Sequence, residues 1–512
     1  MASMDFSLGP KKNSLPPLPP EALSKIDTVA LHMMPHEVVD ELQAFVFAKN
    51  DKGVKAAAVN PTDHTLQLYM KEHVGERIQW FAATKHDIAL FLRLHIRNFA
   101  EEIDKINASG VDTGGNIAKL ADMILEFAFR EKASDVHIEP LRDKTVIRFR
   151  VDGTLRPVAT LRKSVHTALV SRFKILADMK IDEFRRPQDG RIEPEHLTNI
   201  SLRISTIPTM HGEKMALRVL DDSSDYLTLQ QLGFSPKQED ILLRQIEKPF
   251  GMIVTSGPTG SGKTTTLYAL LRLLKKGDVN VSTLEDPIEH SLPGINQIQV
   301  NPRVQLTFAS GLRALLRQDP DVIMVGEIRD SETSVMAGNA AMTGHLVFTT
   351  IHTNDAPSVF TRFLEMKMED FVVASAVNTV IAQRLVRKIC SGCKTEKKID
   401  GIVIKRIKER KDILASIKTH HKMDAQELSE GLFFMGAGCD GCLNTGYAGR
   451  TGIYEVLEVD KKIRGLVLKH ASVEQVKTAA AKEGFRDMIA DGVDKVFAGI
   501  TTFEEVLRGT RA

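Results

Sequence analysis

The sequence predicts an α/β protein of several domains, and three observations carry that prediction. A chain of 512 residues exceeds what one hydrophobic core organises and points to three or four domains. A hydrophobic share of 43% beside 26% charged residues is the composition of folded protein and excludes global disorder. Short apolar runs of strand type alternate with stretches of helical periodicity along most of the chain. The charge balance, 68 Lys and Arg against 66 Asp and Glu, argues against a polyelectrolyte partner for the whole chain. No run of eighteen apolar residues occurs, so no membrane span is expected. The first twenty residues lack the charged-then-apolar pattern of a signal peptide.

Segment 1–25 contains Leu15-Pro-Pro-Leu-Pro-Pro20 and reads as a flexible Pro-rich arm. Residues 26–110 fit a small α/β domain, with helical spacing over Glu37–Phe47 and strands over Lys55–Val59 and Ile78–Ala82. A polar helix-compatible stretch, Asn98–Ile106, leads to glycines 110, 114 and 115, which mark a linker. The next domain, 111–222, opens with Ile117, Leu120, Ala121, Ile124, Leu125 and Ala128 at helical spacing. Val146-Ile-Arg-Phe-Arg-Val151 then alternates apolar and basic residues, giving a hairpin strand with one dry face and one arginine face. Between Arg130 and Asp222 lie 18 Lys and Arg, 12 of them Arg, against 14 acids. Standing alone, that segment reads as a solvated charged face, although guanidinium forks also suit phosphate oxygens.

The third domain, 223–388, carries a helical pattern at Lys237–Ile246 and an apolar strand at Gly251–Thr255. Gly257-Pro258-Thr259-Gly260-Ser261-Gly262-Lys263-Thr264-Thr265 follows, a G-x-x-x-x-G-K-[ST] loop placed after a strand and opening the helix Thr265–Leu274. The glycines let backbone N–H groups converge on phosphate oxygens, and the helix N-terminus adds its dipole. Lys263 is positioned to reach the terminal phosphates and Thr264 to ligate Mg²⁺, so these nine residues form the predicted ATP site. Asp321-Val-Ile-Met-Val-Gly-Glu327 is an apolar strand ending in a carboxylate, the Walker B arrangement. Glu327 is thereby placed to orient or deprotonate an attacking water. Val281–Leu284 runs into Glu285-Asp-Pro-Ile-Glu289, a second strand ending in carboxylates. His345 and His352 bracket the strand Leu346–Thr350, and each is either a γ-phosphate sensor, a contact to a neighbour, or an ordinary histidine.

These blocks in this order resemble the secretion ATPase superfamily, specifically the type II secretion and type IV pilus assembly ATPases. Thr283–Glu289 looks like the family's aspartate box, Arg313–Asp330 like its Walker B segment and Thr343–Asn354 like its histidine box. Ser134-Asp-Val-His-Ile-Glu-Pro140, Arg186-Pro-Gln-Asp-Gly-Arg191 and Arg203-Ile-Ser-Thr resemble the domain preceding the core. The resemblance runs from about Asn116 to Thr510. It implies a RecA-like P-loop ATPase core preceded by a smaller α+β domain and a small N-terminal α/β domain, with a four-cysteine zinc insert and a helical C-terminus. It also implies an ATP hydrolase working as a homo-hexamer, with nucleotide between the Arg-rich domain and the core. Lys263 and Glu327 take the catalytic roles by that likeness, while Glu285, Glu289, His345 and His352 join the nucleotide site. Arg203, Arg218 and Arg313 are expected to contact phosphate.

The expected partner is an inner-membrane platform protein, with the chain peripheral at the cytoplasmic face through protein contacts and without direct nucleic acid. The competing reading is a DNA-uptake or nucleic-acid translocating motor on the same core, which calls for a basic pore and salt-dependent binding. A regulatory nucleotide-binding protein with little turnover is a third reading, and Glu327 argues against it. The N-terminal domain faintly resembles the docking domain of these ATPases.

All four cysteines fall in matched pairs, Cys390-Ser-Gly-Cys393 and Cys439-Asp-Gly-Cys442, separated by 45 residues. Two such knuckles predict a closed, structural Zn²⁺ site of four thiolates in segment 389–445, with free core cysteines or a redox pair as the alternatives. His420 and His421 in the insert compete as ligands or stay exposed, and Ile402–Ile417 has helical apolar spacing with a basic outer face. The zinc insert favours an assembly or export motor over a retraction one by the same resemblance. The last segment, 446–512, reads as short helices punctuated by glycine.

Overall fold

The computed structural model describes residues 15–19, 42–50, 53–74, 77–85, 114–193, 200–221, 227–274, 279–439 and 444–510, with isolated positions such as Phe91, Ile103 and Cys442. It divides into two compact units, Met1–Asp221 and Asp222–Ala512. The expected stretch Asn98–Ile106 lies outside the described residues, apart from Ile103.

In the first unit, β1 (Ala44–Asn50) pairs antiparallel with β2 (Gly53–Ala58), and β3 (Ile78–Ala82) lies parallel to β2. The helical pattern expected through Phe47 is therefore wrong from Ala44 onward. Phe45, Val46 and Phe47 are buried, and Phe45 stacks on Phe91 with centroids 4.2 Å apart. Aromatic and β-branched residues in that density favour a pleated surface over a helix. The Pro-rich arm also departs from expectation, because Leu18 N–H donates to Ala82 and Ala82 N–H to Pro16 along the edge of β3. Leu15 and Leu18 pack against the small core there, which pins residues 15–18 where a free tail was expected. One short helix, α1 (His64–Tyr69), starts at Asp63, whose carboxylate caps Leu66 N–H.

The same unit continues with α2 (Gly114–Arg130), which begins within the glycines read as linker. Ile117, Leu120, Ala121, Ile124, Leu125 and Ala128 are all buried, as a core-facing helical stripe requires. Six antiparallel strands follow: β4 (Asp135–Pro140), β5 (Lys144–Val151), β6 (Thr154–Arg162), β7 (Gln188–Ile192), β8 (Ile200–Thr209) and β9 (Gly212–Asp221), in the spatial order β6-β5-β4-β9-β8-β7. Val136, Ile138, Ile147, Phe149, Met215 and Leu217 turn one face into a core shared with α2 and α3 (Lys163–Leu176). The alternate positions carry Asp135, Glu139, Arg148, Arg150, Lys214 and Arg218, joined in ion pairs on the other face.

The second unit is built on a seven-stranded sheet ordered β12-β11-β13-β14-β10-β15-β18. Its strands are β10 (Gly251–Ser256), β11 (Val281–Glu285), β12 (Asn296–Gln299), β13 (Val322–Val325), β14 (Leu346–Ile351), β15 (Val377–Ile389) and β18 (Tyr447–Glu458). All pairings are parallel except β15 with β18. Strands β10, β13 and β14 are buried throughout, the continuous apolar pattern of a parallel sheet covered on both faces. Helices α4 (Pro236–Ile246), α5 (Lys263–Leu274), α6 (Phe308–Leu315) and α7 (Ser331–Met342) belong to these layers.

Between β15 and β18, strands β16 (Lys394–Lys398) and β17 (Leu432–Gly436) form a small ribbon. The helix expected over Ile402–Ile417 is two helices, α8 (Gly401–Glu409) and α9 (Lys411–His421), separated by Arg410, whose ψ of 88° breaks the helical path. Four C-terminal helices close the unit: α10 (Lys461–Leu468), α11 (Val473–Lys482), α12 (Met488–Phe497) and α13 (Phe503–Gly509).

Candidate active site and cysteine cluster

Parallel strands bring their C-terminal ends to one edge, and the loops leaving β10, β13 and β14 meet there. The loop 257–262 leaves β10 and turns into α5 through glycines 257, 260 and 262, whose φ angles are +146°, +77° and +87°. A Cβ on Gly257 would stand 2.6 Å from both Gln383 O and Ser261 Oγ, so the turn tolerates only glycine. Gln383, on β15 and buried, donates through Nε2 to Ser261 O at 2.8 Å and braces the loop from behind. Ser261 Oγ is buried without a hydrogen-bond partner among the described residues, while Pro258, Thr259, Gly260 and Thr265 face outward. Thr264, half-buried, sits on the first turn of α5.

Lys263 folds back on the loop, its Nζ donating to Gly257 O at 2.8 Å and Pro258 O at 3.2 Å. Burial pushes its ammonium down to about 8; nearby Glu327 opposes this and Arg384 adds to it. Glu327 follows β13, in a backbone clamped on both sides. Gly326 N–H donates to Leu284 O at 2.8 Å, Ile328 N–H to Thr350 O at 3.0 Å, and Thr350 Oγ1 to Gly326 O at 2.8 Å. Its carboxylate pairs with Arg329 and lies 3.8 Å from His352 Nε2. Burial holds His352 below the ordinary histidine range, helped by the charge of Lys263 and opposed by Glu327. The edge thus gathers an ammonium, a carboxylate, an imidazole and a glycine cradle, equipment that fits a polyphosphate and its hydrolysis.

Within the second unit, His345, Glu285 and Arg313 stand away from the mouth of the loop. His345 precedes β14 at the opposite edge of the sheet, its carbonyl accepting Gly251 N–H and its Nδ1 lying 3.1 Å from Ala340 O. The six residues of β14 separate it from His352 by about 20 Å, so within this chain it does not reach the loop. Glu285 ends β11 but turns inward, bonded to Tyr268 of α5 and to Thr283 and Gln297, and is 2% exposed. That position is a brace behind the loop, at odds with a direct nucleotide contact. Glu289 is half-buried in the loop after β11. Arg313 is exposed and paired with Glu332 at 2.6 Å, with no contact to the loop among the described residues. Arg203 and Arg218 stand directly opposite each other on β8 and β9 of the first unit.

Sequence reasoning missed Gln383, Arg384 and Arg329. Arg384 approaches Gly257 closely enough that a Cβ there would lie 3.3 Å from its guanidinium, and it donates to Asn354. The signal was present as a polar Gln-Arg pair inside the apolar run Val377–Ile389.

The four cysteine sulfurs lie within 4.8 Å of one another, and all four thiols are free of disulfide bonds. Cys390–Cys439 is 3.9 Å, while Cys393–Cys442 and Cys439–Cys442 are 3.8 Å. A tetrahedron of sulfurs about 2.3 Å from a central ion has edges of about 3.8 Å. Backbone N–H groups of Cys439 and Gly446 donate to Cys442 Sγ at 3.3 and 3.2 Å, which fixes the second knuckle. The donor set and its spacing fit Zn²⁺. His421 does not compete, because it lies 2.9 Å from Asp494 and stacks on Phe497.

Residues 111–508 match the family model of the type II/IV secretion system protein, and residues 17–101 match the MshEN domain. The type II secretion system protein HxcR of Pseudomonas aeruginosa is 45% identical over 78% of this chain and 78% of its own length. Type II secretion system ATPase E of Vibrio cholerae is 44% identical over 77% and 75%. The type IV pilus assembly ATPase PilB of Thermus thermophilus is 43% identical over 77% of this chain and 43% of its own. The Legionella pneumophila ATPase DotB shares the fold, at 22% identity and a TM-score of 0.54 over 76% of this chain and 94% of that one. The chain therefore belongs to the type II/IV secretion system protein family, and it is an ATP hydrolase of the kind that includes type II secretion and type IV pilus assembly ATPases.

Proposed function

We propose that this ATPase is a hexameric motor that couples ATP hydrolysis to type IV pilus assembly or type II-like secretion through an inner-membrane platform protein. The observation that carries this reading is the meeting of Lys263, Glu327 and His352 at the mouth of the glycine loop. In this reading the loop 257–265 binds ATP, Lys263 neutralises its terminal phosphates, Thr264 holds Mg²⁺, and Glu327 prepares the attacking water. Arg203 and Arg218 supply positive charge to the transferring phosphoryl group. Zn²⁺ on the four cysteines is structural, because a closed tetrahedral set leaves no position for substrate. No helix among the described residues is long and apolar enough to cross a membrane. The proposed station is peripheral, at the cytoplasmic face, and is held there by protein contacts.

The proposed division of labour gives 26–110 to partner docking, 111–222 to the arginine face, 223–388 to ATP chemistry and 389–445 to the zinc insert. Deleting residues 1–110 then spares ATP hydrolysis and abolishes membrane recruitment. Turnover compared alone, with DNA and with the cytoplasmic part of a platform protein separates this reading from a nucleic-acid motor. Stimulation by the platform protein is expected; stimulation by DNA alone contradicts the proposal.

A further inference from the structure

The segment Ser134–Pro140 leaves Asp135 without a role in the chemistry above. Strand β4 places it cross-strand from Arg150 on one side and from Arg218 on the other. Its oxygens divide between them: Oδ2 lies 3.2 Å from Arg150 Nε and Oδ1 lies 3.3 Å from Arg218 Nε. Ser134 Oγ donates to Oδ2 at 2.8 Å and fixes the carboxylate. Contact at Nε leaves a guanidinium's terminal nitrogens unspent. Those of Arg218 have no partner among the described residues, and the side chain is 57% exposed. Glu139, farther along the same strand, behaves differently and takes Arg148 by its terminal NH2. One carboxylate occupies a fork, and the other holds the stem and leaves the fork open.

We propose that Asp135 is a positioning residue for phosphoryl transfer, holding Arg218 by its stem so that the terminal nitrogens stand ready for a phosphate. Asp135 does not touch nucleotide; it acts through Arg218. The proposal rests on the reading of Arg218 as a phosphate contact. An arginine held in this way meets a tetrahedral oxyanion with less rotamer freedom left to lose, and the advantage belongs to the transition state as charge spreads over the phosphoryl oxygens.

The test is ATP turnover by four full-length proteins: the natural chain, Asp135→Ala, Arg218→Ala and the double variant. Arg218→Ala is expected to lower kcat about 100-fold, and Asp135→Ala about 10-fold with little change in KM. Asp135→Ala should cost nothing further in the Arg218→Ala background, because the interaction it serves is already gone. Asp135→Asn keeps one acceptor and should fall between the natural chain and Asp135→Ala; it carries the same cycle if the alanine variant does not fold. A merely structural role would make the Asp135 loss reappear in full in the Arg218→Ala background, which overturns the proposal. An unaltered rate for Asp135→Ala beside an impaired Arg218→Ala overturns it too. An unaltered rate for Arg218→Ala itself overturns the phosphate reading of Arg218, and the proposal with it.

Discussion

At the scale of single residues, Lys263 shows how the fold sets the chemistry. Its ammonium is half-buried at the base of the glycine loop and donates to two carbonyls, with no carboxylate in ion-pairing distance among the described residues. Burial lowers it to about 8, so near pH 8.5 a large share of the population is neutral. On the proposal that Lys263 meets the terminal phosphates, their oxygens favour its charged form, and nucleotide binding then draws in a proton. ATP affinity is expected to fall as pH rises above about 8, a decline absent for a lysine titrating at its ordinary value. Calorimetry near pH 8.5 in two buffers of different ionisation enthalpy should show proton uptake, and Lys263→Ala should abolish it. Binding heats that are the same in both buffers would contradict this picture of the lysine.

At the scale of elements, β15 is the strand that turns a loop motif into a site. Its Gln383 holds Ser261 from behind and its backbone closes against Gly257, so the loop is shaped by a strand more than a hundred residues away in sequence. Gly257→Ala is expected to fail on two counts, a φ of +146° and a Cβ 2.6 Å from two oxygens. The cost is about 1–3 kcal/mol in strain, read as a lower Tm, with loss of nucleotide binding measured by equilibrium titration. A variant with natural Tm and affinity would show that the loop relaxes freely.

Which elements were legible in the sequence follows from how local their cause is. The loop 257–265, the strand ending at Glu327 and the buried stripe of α2 are set by short-range patterning, and each stands where that patterning puts it. His345 and Glu285 were misplaced because their position depends on which end of a strand, or which side of a sheet, they occupy. Spacing brackets a strand with two histidines but does not say that only one end carries the site. Residues Ala44–Phe47 failed for another reason: helical spacing and strand alternation overlap in so short an apolar run, and cross-strand pairing with β2 decides.

At the scale of the whole molecule, the four-cysteine insert shares one core with the last two helices, α12 and α13. Ile407, Ile413 and Ile417 of α8 and α9 pack with Val493, Val496, Phe503 and Val506 of α12 and α13. The seven-stranded sheet packs into two other clusters, one of which also takes in α10, α11 and Met488 at the start of α12. Stripping the metal with a chelator is therefore expected to loosen 390–445 together with α12 and α13 while the sheet stays folded. Hydrogen exchange resolves the two regions. Metal analysis should give about one zinc per chain, and a clear shortfall, or uniform unfolding on chelation, would contradict a structural four-thiolate site of this kind.

In the proposed mechanism Glu327, clamped between the ends of β11 and β14 and facing Lys263 and His352, performs the hydrolytic step. Glu327→Gln keeps the side-chain shape and removes the charge. ATP affinity and steady-state turnover of that variant, measured side by side, decide whether Glu327 is the catalytic carboxylate. The expected result is affinity within a few-fold of the natural chain and turnover reduced at least about 100-fold. Turnover that survives the substitution would place the catalytic carboxylate elsewhere.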